Sequence, residues 1–354
     1  MIFLMLIPVK TLPVPARGGL FQQDSVEKQH CVAELLPDRF NRGSVMQDVE
    51  SLCAELAKKV ERLTEGSLKF QSSVPQATLM CYSSYHARQP VIYNPSVTIV
   101  FQGSKVGFLG NKTFSYDPKN YLMLTVPLPF ECETFGTPER PVTGVSIRIE
   151  TGMLQDLLVE MGDEGFPHQP DNSSGITSGV LDEDILCASE RLLDVMDKPL
   201  RAKVLGPQII REILFFILTS ENGGALQALV NRHTHFSQIA KALRKIENHY
   251  AQPLSVEQLA SDVNMSVSAF HHNFKAVTST SPLQYLKNYR LHKARAMMIY
   301  DSVKASSAAL NVGYESASQF SREFKRYFGV TPSEEIARMR ESNSLSLTET
   351  VFGS

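Results

Sequence analysis

Cysteine is scarce in this chain: five residues among 354, namely Cys31, Cys53, Cys81, Cys132 and Cys187. They are odd in number and widely spaced, with no CxxC pair, which argues against a disulfide framework and a cysteine zinc site and leaves reduced thiols. Long apolar runs are missing as well. The apolar opening, Met1–Val9, falls far short of the roughly 20 residues a membrane span needs. It has no basic residue ahead of it and no clear small-residue cleavage site, so it makes a poor signal peptide. Histidine is thin where a metal-dependent enzyme would need it. Between Ser67 and Glu150 the only one is His86, whereas a catalytic metal site calls for about three convergent His or Glu ligands and an open position. Neither a Ser/His/Asp constellation nor a Gly-rich phosphate loop is apparent. The sequence therefore predicts no cofactor, no metal, no membrane contact and no enzyme.

Net charge is also nearly absent, at -2, until it is split. Residues 237–340 hold 14 Lys+Arg against 8 Asp+Glu, so this stretch carries +6 and the remainder -8. A basic module fused to an acidic remainder is the electrostatic footprint of a nucleic-acid-binding domain joined to something else. Length predicts two domains, and 43% hydrophobic with 20% charged residues describes a globular chain able to bury a core.

What the basic stretch contains is one pattern written twice. Ser266, Ser268, Phe270, Phe274, Lys275, Pro282 and Arg290 recur fifty positions later as Ser316, Ser318, Phe320, Phe324, Lys325, Pro332 and Arg340. Each copy reads as a short helix, a tight turn and a second helix opening on serine, the layout of a helix-turn-helix DNA reader. In the first copy Ser255 caps a helix through Leu259 and Ala260, Asn264-Met265 makes the turn, and Ser266 caps a helix from Val267 to Lys275. In the second, Gly313 supplies the turn, where φ > 0 is cheap only for glycine, and Ser316 caps the reading helix. Phenylalanines four apart turn inward in both. That leaves Ser268, His271 and His272, and Ser318, Gln319, Ser321 and Arg322, facing a groove. Arg322 suits a bidentate contact to guanine and Gln319 one to adenine. Lys275, Lys325 and Arg326 suit phosphate clamping, which fixes register without reading sequence. Between the copies, Pro282 to about Tyr300 traces an amphipathic helix of about 28 Å at 1.5 Å per residue, close to the 34 Å or so of one DNA turn.

Upstream, Asp48–Leu63 carries a helical apolar stripe with Asp48 as its N-cap. From Ser67 to Ile149 the period changes to two, with strands at Gln76–Tyr82, Ser96–Gln102, Lys105–Phe108, Tyr121–Val126 and Thr143–Ile149. Turn residues separate them, predicting a compact antiparallel sandwich or barrel. An interior of this kind can hold one small ligand, for which Cys81, Tyr82 and His86 are the candidate contacts, with Cys132 beside them. Helices follow at Met153–Met161, Asp182–Met196, Arg201–Leu218 and Leu226–Tyr250, with Gly162–Gly179 a polar surface loop. The third of these helices is apolar around more than one face. Such a helix must be covered on two sides, either by the barrel on one and a second subunit on the other or entirely within an intramolecular helical bundle; a homodimer is the working expectation.

The repeat stretch resembles the DNA-binding domain of the AraC/XylS transcriptional regulators. The matching residues are Leu259-Ala260, Ser281–Leu286, Arg290-Leu291, Ala294, Val312–Gly329 and Thr331-Pro332. The resemblance implies Ser268, His271, His272, Ser318, Ser321 and Arg322 as groove-facing positions. Two residues depart from the family pattern: His272 stands where Arg is usual and Ser279 where Gly is usual. Tyr93–Ser96, Val100–Lys105, Phe114–Pro118, Tyr121-Leu122 and Leu128-Pro129 resemble the cupin-like N-terminal domain of one branch of that family, which implies a sensor or dimerisation barrel. The expected fold is α+β: an N-terminal cupin-like antiparallel β-barrel with a helical connector, then an all-α double helix-turn-helix domain. The expected division is a disordered tail over 1–45, a helix and barrel over 46–162, a loop and helical connector over 163–236, the DNA-binding domain over 237–340 and a flexible tail over 341–354. The expected function is a sequence-specific transcriptional regulator in the cytoplasm. Its expected partners are double-stranded promoter DNA, a small-molecule effector and a second copy in a homodimer, with RNA polymerase a further candidate. The alternative is a ligand-independent regulator whose barrel only dimerises.

Overall fold

A computed structural model describes residues 42–65, 69–162, 174–230 and 234–345. Helix α1 (Arg42–Thr64) leads into strands β1 (Lys69–Gln71), β2 (Ala77–Tyr82), β3 (His86–Tyr93), β4 (Ser96–Gln102), β5 (Ser104–Leu109), β6 (Lys112–Tyr116), β7 (Asn120–Leu124), β8 (Leu128–Phe135) and β9 (Val142–Arg148). Then come α2 (Thr151–Met161), β10 (Ile176–Val180), α3 (Glu183–Met196), α4 (Pro199–Thr219), α5 (Gly223–Val230) and α6 (His235–His249). The chain continues through α7 (Val256–Asp262), α8 (Val267–Thr278), α9 (Pro282–Tyr300), α10 (Ala305–Asn311), α11 (Ala317–Phe328) and α12 (Pro332–Leu345).

The strands form two antiparallel sheets, one in the order β1-β2-β9-β4-β7-β10 and one in the order β3-β8-β5-β6. Burial differs between them for a physical reason. β4 is buried almost end to end, because its sheet meets the other sheet on one face and helices on the opposite face. β5 alternates buried and half-buried, as a strand with one wetter face does. Helix α1 covers β2, with the Thr64 hydroxyl beside Cys81, and is tied to α3 by Lys59, whose Nζ lies 2.7 Å from Glu190 and 2.9 Å from Asp194. Helix α4 packs along α3 and approaches closely at Gly206, where a Cβ would come within 2.7 Å of Val74.

Five expectations need correction. The segment Gly162–Gly179 is not all surface loop: Ile176–Val180 pairs antiparallel with β7 along its whole length. The barrel therefore extends past residue 162, into the span expected to hold only a loop and connector. The helix expected over Leu226–Tyr250 is two, because α5 ends at Val230 and Thr234 caps α6 by accepting from Ser237 N at 3.1 Å. Helix α1 begins at Arg42, so Asp48 is inside it rather than its cap, and residues 42–45 are helical where a disordered tail was expected. Residues 1–41 lie outside the described residues. Helix α12 runs to Leu345, beyond the expected domain end at 340. Residues 346–354 again lie outside the described residues. Four strands that the period-two reading passed over, β1, β3, β6 and β8, fill out the sheets.

Candidate functional site

Ser255, Ser266 and Ser316, the serines expected to start helices, do so, and Ser281 does the same ahead of Pro282. Ser255 accepts from Gln258 N, Ser266 from Ala269 N, Ser281 from Gln284 N and Ser316 from Gln319 N, each satisfying a donor that the first turn leaves free. The reading helices α8 and α11 are both 12 residues long, and α9 between them has 19. Phe270, Phe274, Phe320 and Phe324 are fully buried. Their burial turns the opposite face of each helix outward.

On that face Ser268, His271, His272 and Lys275 of α8, and Ser318, Gln319, Arg322, Lys325 and Arg326 of α11, are exposed. Ser321 is half-buried and donates to the Ala317 carbonyl at 2.9 Å, so its hydroxyl proton serves its own helix. Gln319 is engaged too: its Nε2 donates to Glu323 at 3.2 Å.

The two turns are built alike, by Met265 N donating to Ala260 O and Tyr314 N donating to Ala309 O. Here the offset is forty-nine, not fifty, because Glu315 adds one residue between turn and cap. The turn residues Asn264 and Gly313 both have positive φ, at 55° and 89°. Gly313 is also pressed against backbone, with a Cβ position 2.5 Å from the Ala251 carbonyl. Arg290, one of the repeated residues, was given no role by sequence reasoning. Its guanidinium donates to the carbonyls of Tyr250 (2.7 Å), Gly313 (3.1 Å) and Gln252 (3.0 Å), binding the end of α6 to the turn of the second repeat. Three convergent carbonyls are a tertiary feature with no local signature.

In the barrel the three candidate ligand contacts separate. Cys81 turns toward α1, where burial pushes its thiol up with smaller effects from Thr64 and Glu61. Tyr82, next along the strand, turns to the interior. His86 sits at the rim with its ring 5.2 Å from Tyr82 and Nδ1 2.9 Å from the Ser84 carbonyl. The interior also holds a residue that no sequence motif singles out, Lys105, only 3% exposed. Its Nζ lies 4.6 Å from the Tyr82 ring centre, 5.9 Å from those of Tyr93 and Tyr116, and 3.4 Å from the Tyr93 hydroxyl. Tyr116 in turn meets Cys132 Sγ at 3.1 Å. Among the described residues no carboxylate stands at ion-pair distance from Lys105. Burial opposes its charge, and the aromatic faces and hydroxyl favour it. The one sequence signal was its place in the Val100–Lys105 stretch.

Two capped helices on one strut, joined to a two-sheet domain, define a double helix-turn-helix protein with an N-terminal β domain. The family model described as the AraC-type transcriptional regulator N-terminus matches residues 73–225, and that described as a helix-turn-helix domain matches residues 259–338. The chain belongs to the AraC family of transcriptional regulators. It is 27% identical over 147 residues to the HTH-type transcriptional activator RhaS of Escherichia fergusonii, covering 36% of this chain and 53% of that one. It is 28% identical over 113 residues to the HTH-type transcriptional regulator ArgR of Pseudomonas aeruginosa, covering 32% and 34%. The chain thus spans about half the length of RhaS and a third of that of ArgR. Among solved structures, ToxT of Vibrio cholerae with an unsaturated fatty acid bound shares the fold at a TM-score of 0.51 and 9% identity, over 73% of this chain and 94% of that one. ToxT bound to (E)-4-(8-methylnaphthalen-1-yl)but-3-enoic acid gives 0.52 and 12%, over 75% and 98%. No single described helix is long and apolar enough to cross a membrane.

Proposed function

We propose that this chain is a sequence-specific transcriptional regulator of the cytoplasm that reads promoter DNA with α8 and α11 and does no catalysis of its own. One observation carries the reading: two equal reading helices, each with its polar and basic face open, are spaced by a 19-residue strut. A strut of about 28 Å sets them toward successive major grooves on one side of a duplex. Arg322 discriminates a base, worth about 1–3 kcal/mol, and Lys325 holds a phosphate. Arg322→Ala therefore relaxes preference at one position. Lys325→Ala weakens binding to every sequence and lowers the salt slope by about one. Electrophoretic titration of specific and random duplexes over a salt series distinguishes the two, and equal effects of both variants on both duplexes would refute the division. RNA polymerase is the partner such a regulator recruits, and genome-wide mapping of bound sites identifies the promoters.

A second reading concerns the N-terminal domain, as an effector sensor that also dimerises. Lys105, a buried ammonium without a carboxylate, favours an acidic small molecule as effector, and both ToxT ligands named above are carboxylic acids. Leu200, Val204, Leu205 and Phe215 leave one side of α4 apolar and exposed, which favours a second copy there. Melting of the full chain with an unsaturated fatty acid, against Lys105→Met, tests the first part. Stabilisation that survives the substitution would remove Lys105 from the site. Sedimentation of Val204→Glu tests the second, and a dimer untouched by that charge would place the interface elsewhere.

A further inference from the structure

Glu323 stands one helical turn beyond Gln319 on α11 and is no surface acid. Its side chain is 14% exposed, and three donors converge on it. Tyr314 OH reaches Oε2 at 2.9 Å, while Gln319 Nε2 and Lys287 Nζ reach Oε1 at 3.2 and 3.4 Å. Burial works against its charge, but the bonds from Gln319 and Tyr314 and the nearby Lys287 outweigh it and hold the carboxyl below the usual range. A carboxylate in that state only accepts. The Gln319 amide must therefore turn its NH2 toward Glu323, since the reverse orientation would set oxygen against oxygen.

A free glutamine amide has two N–H donors and one oxygen acceptor. With one N–H held by Glu323, it offers a base edge one donor and one acceptor. In the major groove adenine presents an acceptor at N7 beside a donor at N6, whereas guanine presents acceptors at both N7 and O6. We propose that Glu323 is a positioning residue that makes Gln319 a reader of adenine, by withholding the second N–H that a free amide would give to guanine. The inference rests on the reading of α11 as a major-groove helix. Tyr314 in the turn and Lys287 on the strut pin Glu323 from two other elements, so the amide is ordered before DNA arrives. The Lys287 charge also offsets the repulsion between this carboxylate and the phosphates.

The test uses the full chain and a selection from randomised duplexes. Gln319→Met first identifies the base position that Gln319 governs. The wild type is expected to prefer adenine over guanine there by about tenfold or more, the size of one discriminating contact. Glu323→Ala should bring that ratio to within about threefold. Glu323→Gln, whose carbonyl still accepts from Gln319, should keep it, and so should Tyr314→Phe, which removes a different partner of the same carboxylate. A merely structural role would lower affinity without moving the ratio. An unchanged ratio in Glu323→Ala overturns the proposal, as does a wild-type preference for guanine or a pyrimidine at that position. Gln319 is exposed, so its variant decides the base even where Glu323→Ala does not fold. A wild type that prefers no sequence over random DNA would instead defeat the DNA-reading assignment itself.

Discussion

The two repeats share their serine caps, paired phenylalanines and turns, yet they are held in the molecule differently. The first has no core of its own. Phe270, Phe274, Tyr285, Leu286 and Tyr289 belong to one continuous apolar cluster with the barrel interior and connector helices. Tyr285 OH donates to the Pro127 carbonyl at 2.8 Å, and Gly175 N, just ahead of β10, donates to the Val277 carbonyl at 3.0 Å. The second repeat closes a separate small cluster of Leu291, Ala294, Met298, Ala308, Ala309, Val312, Tyr314, Phe320 and Phe324. Near it Arg295 Nη2 meets a nearly buried Glu335 at 2.6 Å. One reading helix shares the core of the N-terminal domain, and the other is built on a small cluster of its own while still touching β3. A signal in the barrel therefore reaches α8 through the shared core, and α11 through its own contact with β3 as well as through α9. Coupling of that kind requires an element with two arrangements, and α9 is the element both repeats share.

The largest effects should come from emptying the two cores. Phe274→Ala and Phe324→Ala each remove a fully buried ring, a loss of about 3–5 kcal/mol. Their reach should differ. Phe324→Ala is expected to speed amide hydrogen exchange across α10 to α12 while the barrel stays protected. Phe274→Ala should loosen α8 together with β8 and β10. If both variants open the same residues, the two clusters are one cooperative unit and the repeats are not held differently.

Acid sharpens the contrast further. His292 is buried in the second repeat, with Nε2 3.1 Å from Tyr327 OH and its ring edge-on to Tyr327 and Phe328. Burial, helped by Arg295, pushes its pKa from the ordinary 6.5 down to about 3. Between those values the unfolded chain binds a proton that the folded one refuses. The contribution is intact above about pH 6.5 and is lost as pH falls, at up to about 1.4 kcal/mol per unit. Between pH 7 and 5 the second repeat should lose about 2 kcal/mol that the first does not. Hydrogen exchange at both pH values, with His292→Gln as the variant lacking the titration, measures the difference. A drop of equal size in the variant would assign the effect to other groups.

How much of this could be read in advance followed the range of each interaction. The caps at Ser255, Ser266 and Ser316 were legible because a hydroxyl three residues from its donor is a local rule. The 19-residue length of α9 was legible because Pro282 opens it. The reading faces followed from the phenylalanine spacing, and their exposed residues match it except at Ser321. β10 was hidden because Ile176–Val180 includes serine and glycine and gains its apolar contacts only against β7. Lys105 was hidden by its type. The apolar residues of β5 are Val106 and Phe108 on one face, whereas Lys105, Gly107 and Leu109 are the buried set. Arg88 lies over Phe108, 4.0 Å from its ring centre, and covers it from outside. Tertiary contacts reversed the face without changing the period.

A milder perturbation addresses the seam between barrel and first repeat. Tyr285→Phe keeps the ring and removes one hydrogen bond, leaving the Pro127 carbonyl unpaired in a buried place, at about 1–3 kcal/mol. The expected outcome is faster exchange at the start of α9 with the second repeat unmoved. Urea unfolding gives the total. A loss confined to α10–α12 would mean that the seam does not hold the first repeat.

The smallest effect turns on the residue at which the repeats depart most clearly. Ser279 ends α8 and Gly329 ends α11. Both are left-handed, with φ of 58° and 79°, and their amides close the same bond, to the carbonyls of Lys275 and Lys325. The backbone thus demands at both ends a conformation that costs a side-chain-bearing residue about 1 kcal/mol. Ser279 is half-buried and faces the β5–β6 turn at Gly110, where an added Cβ would lie 3.7 Å from its own, so burial of the serine there offsets part of that strain. Ser279→Gly should therefore stabilise the chain by somewhat less than the full left-handed cost, about 0.5 kcal/mol. Gly329→Ser, whose Cβ would meet nothing within 4 Å, should lose close to the whole of it. Thermal unfolding of the two single variants measures the asymmetry. Shifts of equal size and opposite sign would show that the barrel contact contributes nothing, and that the seam to the first repeat begins at Tyr285 and not at the end of its reading helix.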